Sequence, residues 1–377
     1  MTKGTVVELS DTYEYLIKHD IKGGLTSTLI ANRAMAKGVS VAPDSKRRLS
    51  MQVGKKRIWF DGARSNLNSV LARRCTRYKD VTSRLLQNNG VKTPDSLAFG
   101  SDQVHQAWAW AEFQLPVVVK PPNEGMGNSV HVGLSDFGQF EKAFADVGSI
   151  ADKVLVERFA PGVEHRVLLI YGKVAAAARR VPANVIGDGT STVTELIEQK
   201  NSQRTESQNP VHYQIPIDDV VVQELGRQRV TLESVPEEDQ QVWLRPNSNV
   251  HSGGDGVDAT DELSPEEIAM AEAVATAIPG LRLVGVDMLL PRGGDGVEPH
   301  VLEVNSSPMI TGHHYPWVGQ SRDVAGMLVD AMFAKGAAPT PSAAQAPAQH
   351  AAASAVRRRV RYLRRRWRWL RSGELKS

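Results

Sequence analysis

Glu303 and Asn305 stand two positions apart in the run HVLEVNSSPMI, residues 300–310. On an extended strand, residues i and i+2 share a face, so these two oxygen-bearing side chains project together while Leu302 and Val304 fill the core behind them. Upstream, LRLVGVDMLLPRGGDGVEPH reads as an apolar strand, a Gly- and Pro-rich turn and the returning strand. A hairpin symmetric about Asp295 sets Asp287 opposite Glu303, with both carboxylates on one face. Like charges so paired destabilise a sheet. A divalent cation removes the repulsion, and Asp, Glu and Asn oxygens are hard ligands suited to magnesium, which fills its shell with water and substrate phosphate. A solvated acidic hairpin is the plainer account of any acidic pair; the apolar strands on both sides weigh against it.

Two lysines suit a phosphate partner. Lys120 ends the apolar strand PVVVK before PPNEGMGNSV, where Gly125 and Gly127 let the backbone approach an anion. Lys79 opens a helix, whose first turn favours negative charge. Each alone is more often a solvated surface charge, and neither is a P-loop lysine, since no GxxxxGK[ST] occurs. Arg166, Arg180 and Arg245 each lie in or beside an apolar strand, where a guanidinium needs a partner. Either an internal ion pair or a bidentate clamp on carboxylate or phosphate satisfies that need. The polar stretch NSNVHSGGDGVDATDE after Arg245 reads as a surface loop that is able to shape a binding site. His313 and His314 are able to touch substrate, although a histidine pair in a loop is more often merely exposed.

The elements that must hold these residues mix helices with antiparallel strands, an α+β organisation. LTSTLIANRAMAK (25–37) has helical spacing and stops at Gly38, and a second helix runs from about Lys79 to Asn89. VSVAP, RIWFDG, VLVERF, HRVLLIYG and KVAAAARRV read as strands. Ser264, Pro265 and Glu267 form a capping box that opens a further helix. The body closes near Phe333. One cysteine, Cys75, among 377 residues excludes an intrachain disulfide and suits a reducing cytoplasm. No apolar leader opens the chain and no run approaches membrane-spanning length, so a soluble cytoplasmic protein is expected.

Read together, these motifs resemble the ATP-grasp superfamily, specifically the ATP-grasp modules of cyanophycin synthetase and of the bifunctional glutathione ligase. The resemblance covers roughly residues 25–333. It rests on RVPANVIGDGTSTVTELIEQKN, LRPNSNVHSGGDGVDATDE, the strand and closing helix of VLEVNSSPMITGHHYPWVGQSRDVAGMLVDAMF, and TRYKDVTSRLLQNNGVKTP. It implies an ATP-grasp fold holding the nucleotide between two α+β subdomains. The expected order is an N-terminal α/β segment (1–75), the ATP-grasp domain (76–335), an Ala/Pro-rich linker (336–355) and an Arg-rich tail (356–377).

By the same resemblance, Lys79 and Lys120 are the nucleotide lysines, and Glu124, Gly125, Gly127 and Ser129 belong to a lid over the phosphates. Glu157 and Phe159 form the hinge beside the adenine, and Glu164 binds ribose. Asp287, Glu303 and Asn305 hold magnesium, two ions in all. Arg166, Arg180, Arg245 and the Asn247–Asn249 loop face the transferred phosphate and the substrate carboxylate, with Ser306 and Ser307 also at the substrate.

The chemistry implied is ATP-driven amide formation. A carboxylate attacks the γ-phosphate to give an acylphosphate and ADP, and the amine of an amino acid or small peptide displaces phosphate. Self-association into a homo-oligomer is also implied. Ser129 stands where the relatives usually have a second glycine, and SSPMITGHHYP departs from them in a way that suggests a changed substrate. A non-catalytic ATP-binding scaffold and a ligase for a polymer or membrane-associated amine are the other readings.

The net charge of +3 is unevenly spread: nine Arg and one Lys against one Glu give residues 356–377 a charge of +9, which leaves −6 for residues 1–355. Val356, Val360, Leu363, Trp367 and Leu370 repeat at helical spacing among those arginines. A basic amphipathic helix of this kind suits an anionic membrane surface at the inner face of the membrane. Nucleic acid or polyphosphate is the second partner class, and docking onto the acidic body or a disordered tail the plainest account.

Overall fold

The computed structural model describes residues 8–122, 129–292 and 297–334. The linker and the basic tail, and with them Glu124, Gly125 and Gly127, lie outside the described residues. The chain divides into two compact units. Of the described residues, 8–63, 181–256 and 314–334 form the first, and 64–122, 129–180, 257–292 and 297–313 the second.

In the first unit the Gly24–Ala36 helix buries Leu29, Ile30, Ala31 and Ala34. It packs against the helices Leu9–Lys18 and Val324–Phe333, and Arg33 is ion-paired to Asp323 at 2.9 Å. Gly23 opens it at φ 123°, where a Cβ would lie 1.9 Å from the Ser27 Oγ, so only glycine fits. Strands Val41–Pro43, Leu49–Val53 and Lys56–Asp61 form an antiparallel meander beside it. A separate core joins Val185, Leu196, Ile197, Ile215, Val221 and Val242. Here Thr192 caps the Val193–Glu206 helix through a capping box with Glu195.

The second unit contains two sheets. The smaller is antiparallel, in the order Ser96–Gly100, Lys153–Arg158, Val117–Lys120, His131–Leu134. Its core is aromatic, with Phe140, Phe144 and Phe99 against Val117, Val119, Val154 and Val156. In the larger, Lys173–Val181, Val163–Ile170, Leu283–Leu290 and His300–Asn305 lie side by side, each antiparallel to the next. Leu283–Leu290 lies between two neighbours and is buried at all but one residue, which explains its nearly unbroken apolar run. The expected hairpin forms with Asp287 paired to Glu303 and Gly285 to Asn305. A bulge beyond Asp287 then shifts the register by one residue, a feature that kinks and twists a strand locally. The Pro265–Ala277 helix begins as its sequence predicts: Ser264 Oγ accepts from Glu267 N at 3.2 Å, and Ser264 N donates to the Glu267 carboxylate at 3.0 Å.

Candidate functional site

The larger sheet positions the acidic pair. Asp287 is paired across one edge of its strand with Glu303 and across the other with Arg166. The Arg166 guanidinium binds both Asp287 oxygens, Nε to Oδ1 and Nη2 to Oδ2 at 2.6 Å. Asn305 Nδ2 donates to Asp287 Oδ2 at 3.0 Å. Gly285 makes this geometry possible, since a Cβ there would sit 2.9 Å from the Arg166 Cδ. Burial alone would lower the basicity of Arg166. The Asp287 carboxylate outweighs it, with Glu164 and Glu303 adding to the effect, and the group is held above the ordinary arginine range.

The lysines arrive from the other direction. Lys79 N donates to the carbonyl of Pro122 at 3.0 Å, which ties the start of its helix to the end of the Val117–Lys120 strand. Lys79 Nζ lies 4.0 Å from Glu303. Burial lowers the Lys79 pKa; Lys120 lowers it further, while Glu303, Glu157 and Asp287 act to raise it. Both lysines and three carboxylates therefore share one field, although they come from two sheets and a helix.

Lys120 is no surface charge: it is 8% exposed and bonded to the equally buried Glu157 at 2.7 Å. Glu164 accepts from Arg180 Nη1 at 2.8 Å. Phe159 is partly exposed, and its N–H is held by the Pro116 carbonyl. Ser129 has φ 56°, the left-handed conformation that glycine adopts without penalty. The backbone demand behind the expected second glycine is thus present at a serine.

The donor set at the hairpin consists of oxygens only. A carboxylate offers about four lone-pair sites, and Asp287 uses three on Arg166 and Asn305. Because the Asn305 nitrogen donates to Asp287, its amide oxygen is the end not used on that carboxylate. Among the described residues no group of three or more His, Cys, Asp or Glu is placed to hold a metal. Two carboxylates and an amide fit an ion that keeps water and phosphate in its shell, which is the habit of magnesium.

Arg245, Asn247 and Asn249 lie in the first unit. Arg245, 7% exposed, is bonded to Asp218 at 2.6 Å, and Asn247 and Asn249 shape the turn that follows it. All three candidate arginines therefore have ion-pair partners. The stretch from Gly253 to Gly256 is buried rather than a surface loop, because Asp255 ties it to Arg204 at 2.6 Å and Lys200 at 2.7 Å. The two histidines are buried as well, at 4% and 7% exposure. His314 Nε2 accepts from Ala325 N at 3.1 Å, and burial pushes its pKa down to about 4. Ser306 is half-buried, with its carbonyl bonded to the Asn68 amide, and Ser307 is exposed. Asn68 went unnoticed in the sequence, where SNLNS carries no periodic or charged signal.

Fold and site together define the class: this is the ATP-grasp fold. Across 86% of the chain it superimposes on a bifunctional glutathione synthetase from Pasteurella multocida, with TM-score 0.63, 25% identity and 46% of that chain covered. Within the class, the sequence is similar to cyanophycin synthetase of Crocosphaera subtropica, 34% identical over 82% of this chain and 36% of the relative. It is also similar to the glutathione biosynthesis bifunctional protein GshAB of Mannheimia succiniciproducens, 36% identical over 66% of this chain and 35% of the relative. The resemblance expected from the motifs is thus borne out. The chain spans about a third of the length of these curated relatives. No family model matches it.

Proposed function

We propose that the protein is an ATP- and magnesium-dependent carboxylate–amine ligase, forming an amide or peptide bond between amino acids or small peptides through an acylphosphate. One observation carries the reading: Asp287, Glu303 and Asn305 share one face of a strand pair with Lys79 4.0 Å from Glu303. That arrangement suits a metal–triphosphate. The similarity to two enzymes of amino-acid condensation supports the same class.

In this reading Asp287, Glu303 and the Asn305 amide oxygen would hold magnesium, two ions in all, which would supply charge neutralisation at the transferred phosphate. Lys79 and Lys120 bind the polyphosphate, and Glu157 and Phe159 border the adenine. Glu164, steadied by Arg180, takes the ribose hydroxyls. Arg166, bonded to both carboxylate oxygens, keeps Asp287 oriented. Glu124, Gly125, Gly127 and Ser129 cover the phosphates. By the resemblance, Arg245, Asn247 and Asn249 are candidates for the substrate carboxylate, as are Ser306 and Ser307. Phosphoryl transfer requires positioning and charge neutralisation rather than a protein nucleophile, which matches this inventory. Residues 76–335 constitute the module, and self-association accompanies it. We place the protein in the cytoplasm, with the Arg-rich tail directed to an anionic membrane surface in preference to nucleic acid. No helix of the described residues is long and apolar enough to cross a membrane.

The test is release of ADP and phosphate with ATP and magnesium over a panel of amino acids, dipeptides and amines, with products identified by mass spectrometry. A specific pair that drives release in the wild type and not in Glu303→Gln supports the reading. ATP binding without turnover on the whole panel counts against it.

A further inference from the structure

Asn68 is 2% exposed and makes four hydrogen bonds, all to backbone. Its Oδ1 accepts from Arg282 N at 2.6 Å and Leu283 N at 3.0 Å. Its Nδ2 donates to Leu283 O at 2.7 Å and Ser306 O at 2.8 Å. These four bonds use the full capacity of the amide, two lone pairs and two hydrogens, and the pattern fixes which end is oxygen. The side chain binds Leu283 through both its N–H and its C=O, as a neighbouring strand would, and reaches over to the returning strand.

The place of this bridge matters. The ladder between the two strands starts at Gly285–Asn305, passes through Asp287–Glu303 and, after the one-residue shift, runs on to Leu289–His300. Leu283 precedes Gly285 by two residues, and Ser306 follows Asn305 directly. Asn68 thus ties the two strands together beyond that first ladder pair, next to the residues that carry the oxygens. The segment that bears it is itself held: Ser69 N donates to Gly280 O at 2.9 Å, and Ser69 Oγ accepts from Ala72 N at 3.0 Å to cap a short helix. On the far side of Asp287 the bulge shifts the register by one residue before the ladder resumes. The alignment of Asn305 and Glu303 with Asp287 is therefore pinned from the Asn68 side.

We propose that Asn68 is a positioning residue for the metal-binding oxygens: it sets the separation and twist of the strand pair that carries Asp287, Glu303 and Asn305, and so tunes divalent-cation affinity. With its amide spent on backbone groups, it is not itself offered as a ligand. The proposal rests on the ligase reading above, and it deepens that reading by adding a residue that acts through the sheet.

The experiment is titration of Mn2+ into the full chain with a non-hydrolysable ATP analogue, with free Mn2+ followed by electron paramagnetic resonance. Wild type is compared with Asn68→Asp and Asn68→Ala. Asn68→Asp keeps both accepted bonds and loses both donated ones, while Asn68→Ala loses all four. Partners behind metal ligands typically govern affinity by 10–100-fold. The expected result is Mn2+ binding weakened about tenfold in both variants, an equal rise in the magnesium needed for half-maximal ADP release, and metal-free analogue affinity within about twofold of wild type.

A variant that melts with the wild type and binds Mn2+ as tightly overturns the proposal. So does a variant that loses Mn2+ and metal-free nucleotide binding in equal measure, because that is general loosening. If both variants fail to fold, Asn68→Ser, a smaller polar replacement, is read by the same criteria. Wild type that binds Mn2+ while all variants bind it equally refutes the proposal alone. Wild type that binds none refutes the ligase reading as well.

Discussion

Two buried Arg–Asp pairs, one in each unit, use the same side chains in opposite ways. In the first unit Asp255 is enclosed: Arg204 takes one oxygen and Lys200 the other, with side chains 1%, 15% and 7% exposed for Arg204, Lys200 and Asp255. Arg204 also donates to the carbonyls of Tyr213 and Gly253, and its guanidinium carbon lies 5.4 Å from the Trp317 ring centroid. In the second unit Asp287 faces Glu303, a second carboxylate whose side chain is 32% exposed.

The direction of the arginine pKa shift separates the two pairs. Burial lowers the pKa of both Arg204 and Lys200, although Asp255 opposes it. Arg166 is raised, because Asp287, Glu164 and Glu303 together outweigh its burial. One cluster has two cations on a single carboxylate and locks a loop in place. The other is anion-rich, partly open, and favours an additional positive charge. Burial of an ion pair thus does not mark a functional site; the sign of the field around it and an accessible oxygen do.

The sharpest way to break this comparison is to exchange the losses. Glu303→Gln is expected to lower ADP release by roughly a thousandfold, the size seen when one electrostatic group is taken from a transition-state site. It should change stability by under about 1 kcal/mol, because a half-exposed acid contributes little to folding. Asp255→Asn should do the reverse to stability, with a loss of about 3–5 kcal/mol as two buried cations lose their counter-charge. Denaturant melts of the two variants, set beside their ADP release, check both expectations. Equal stability losses would show that the regions do not differ as described.

Acid is the next probe. Burial pushes His212 down to about 4, and its Nε2 accepts from Gly256 N at 3.0 Å. Between pH 6.5 and 4 the unfolded chain binds a proton that the folded His212 refuses, so stability is full above about pH 6.5 and falls as pH drops through that window. The loss amounts to about 3 kcal/mol for such a histidine. His314, also held near 4, acts in the same sense. His212→Gln retains an acceptor for Gly256 and should flatten part of the decline in melting temperature from pH 6.5 to 4; an unchanged slope would show that His212 is not its source. The smallest effects are the helix caps. Ser264→Ala and Thr192→Ala, one in each unit, should each cost about 1 kcal/mol in a denaturant melt, which sets a scale against which the Asp255 loss stands out.

What could be read in the chain were its local features. Parity alone placed Asp287 and Glu303 on one face, and the capping box placed the Pro265–Ala277 helix, because both are matters of a few neighbouring residues. The bulge after Asp287, the burial of His313 and His314, and the enclosure of Gly253–Gly256 could not be read there. Each depends on what the rest of the fold lays over the segment.

By itself the sequence determined the oxygen-bearing hairpin, the lysines and the ATP-grasp motifs, since spacing within a strand or at a helix start is set by backbone geometry. Only the tertiary structure decided the partners: that Arg166 holds Asp287, that Lys120 is neutralised by Glu157, and that Asn68 closes the strand pair from more than two hundred positions away. Partners of that kind come from residues distant in the chain, and a side-chain amide donates or accepts equally well until packing fixes what lies opposite it.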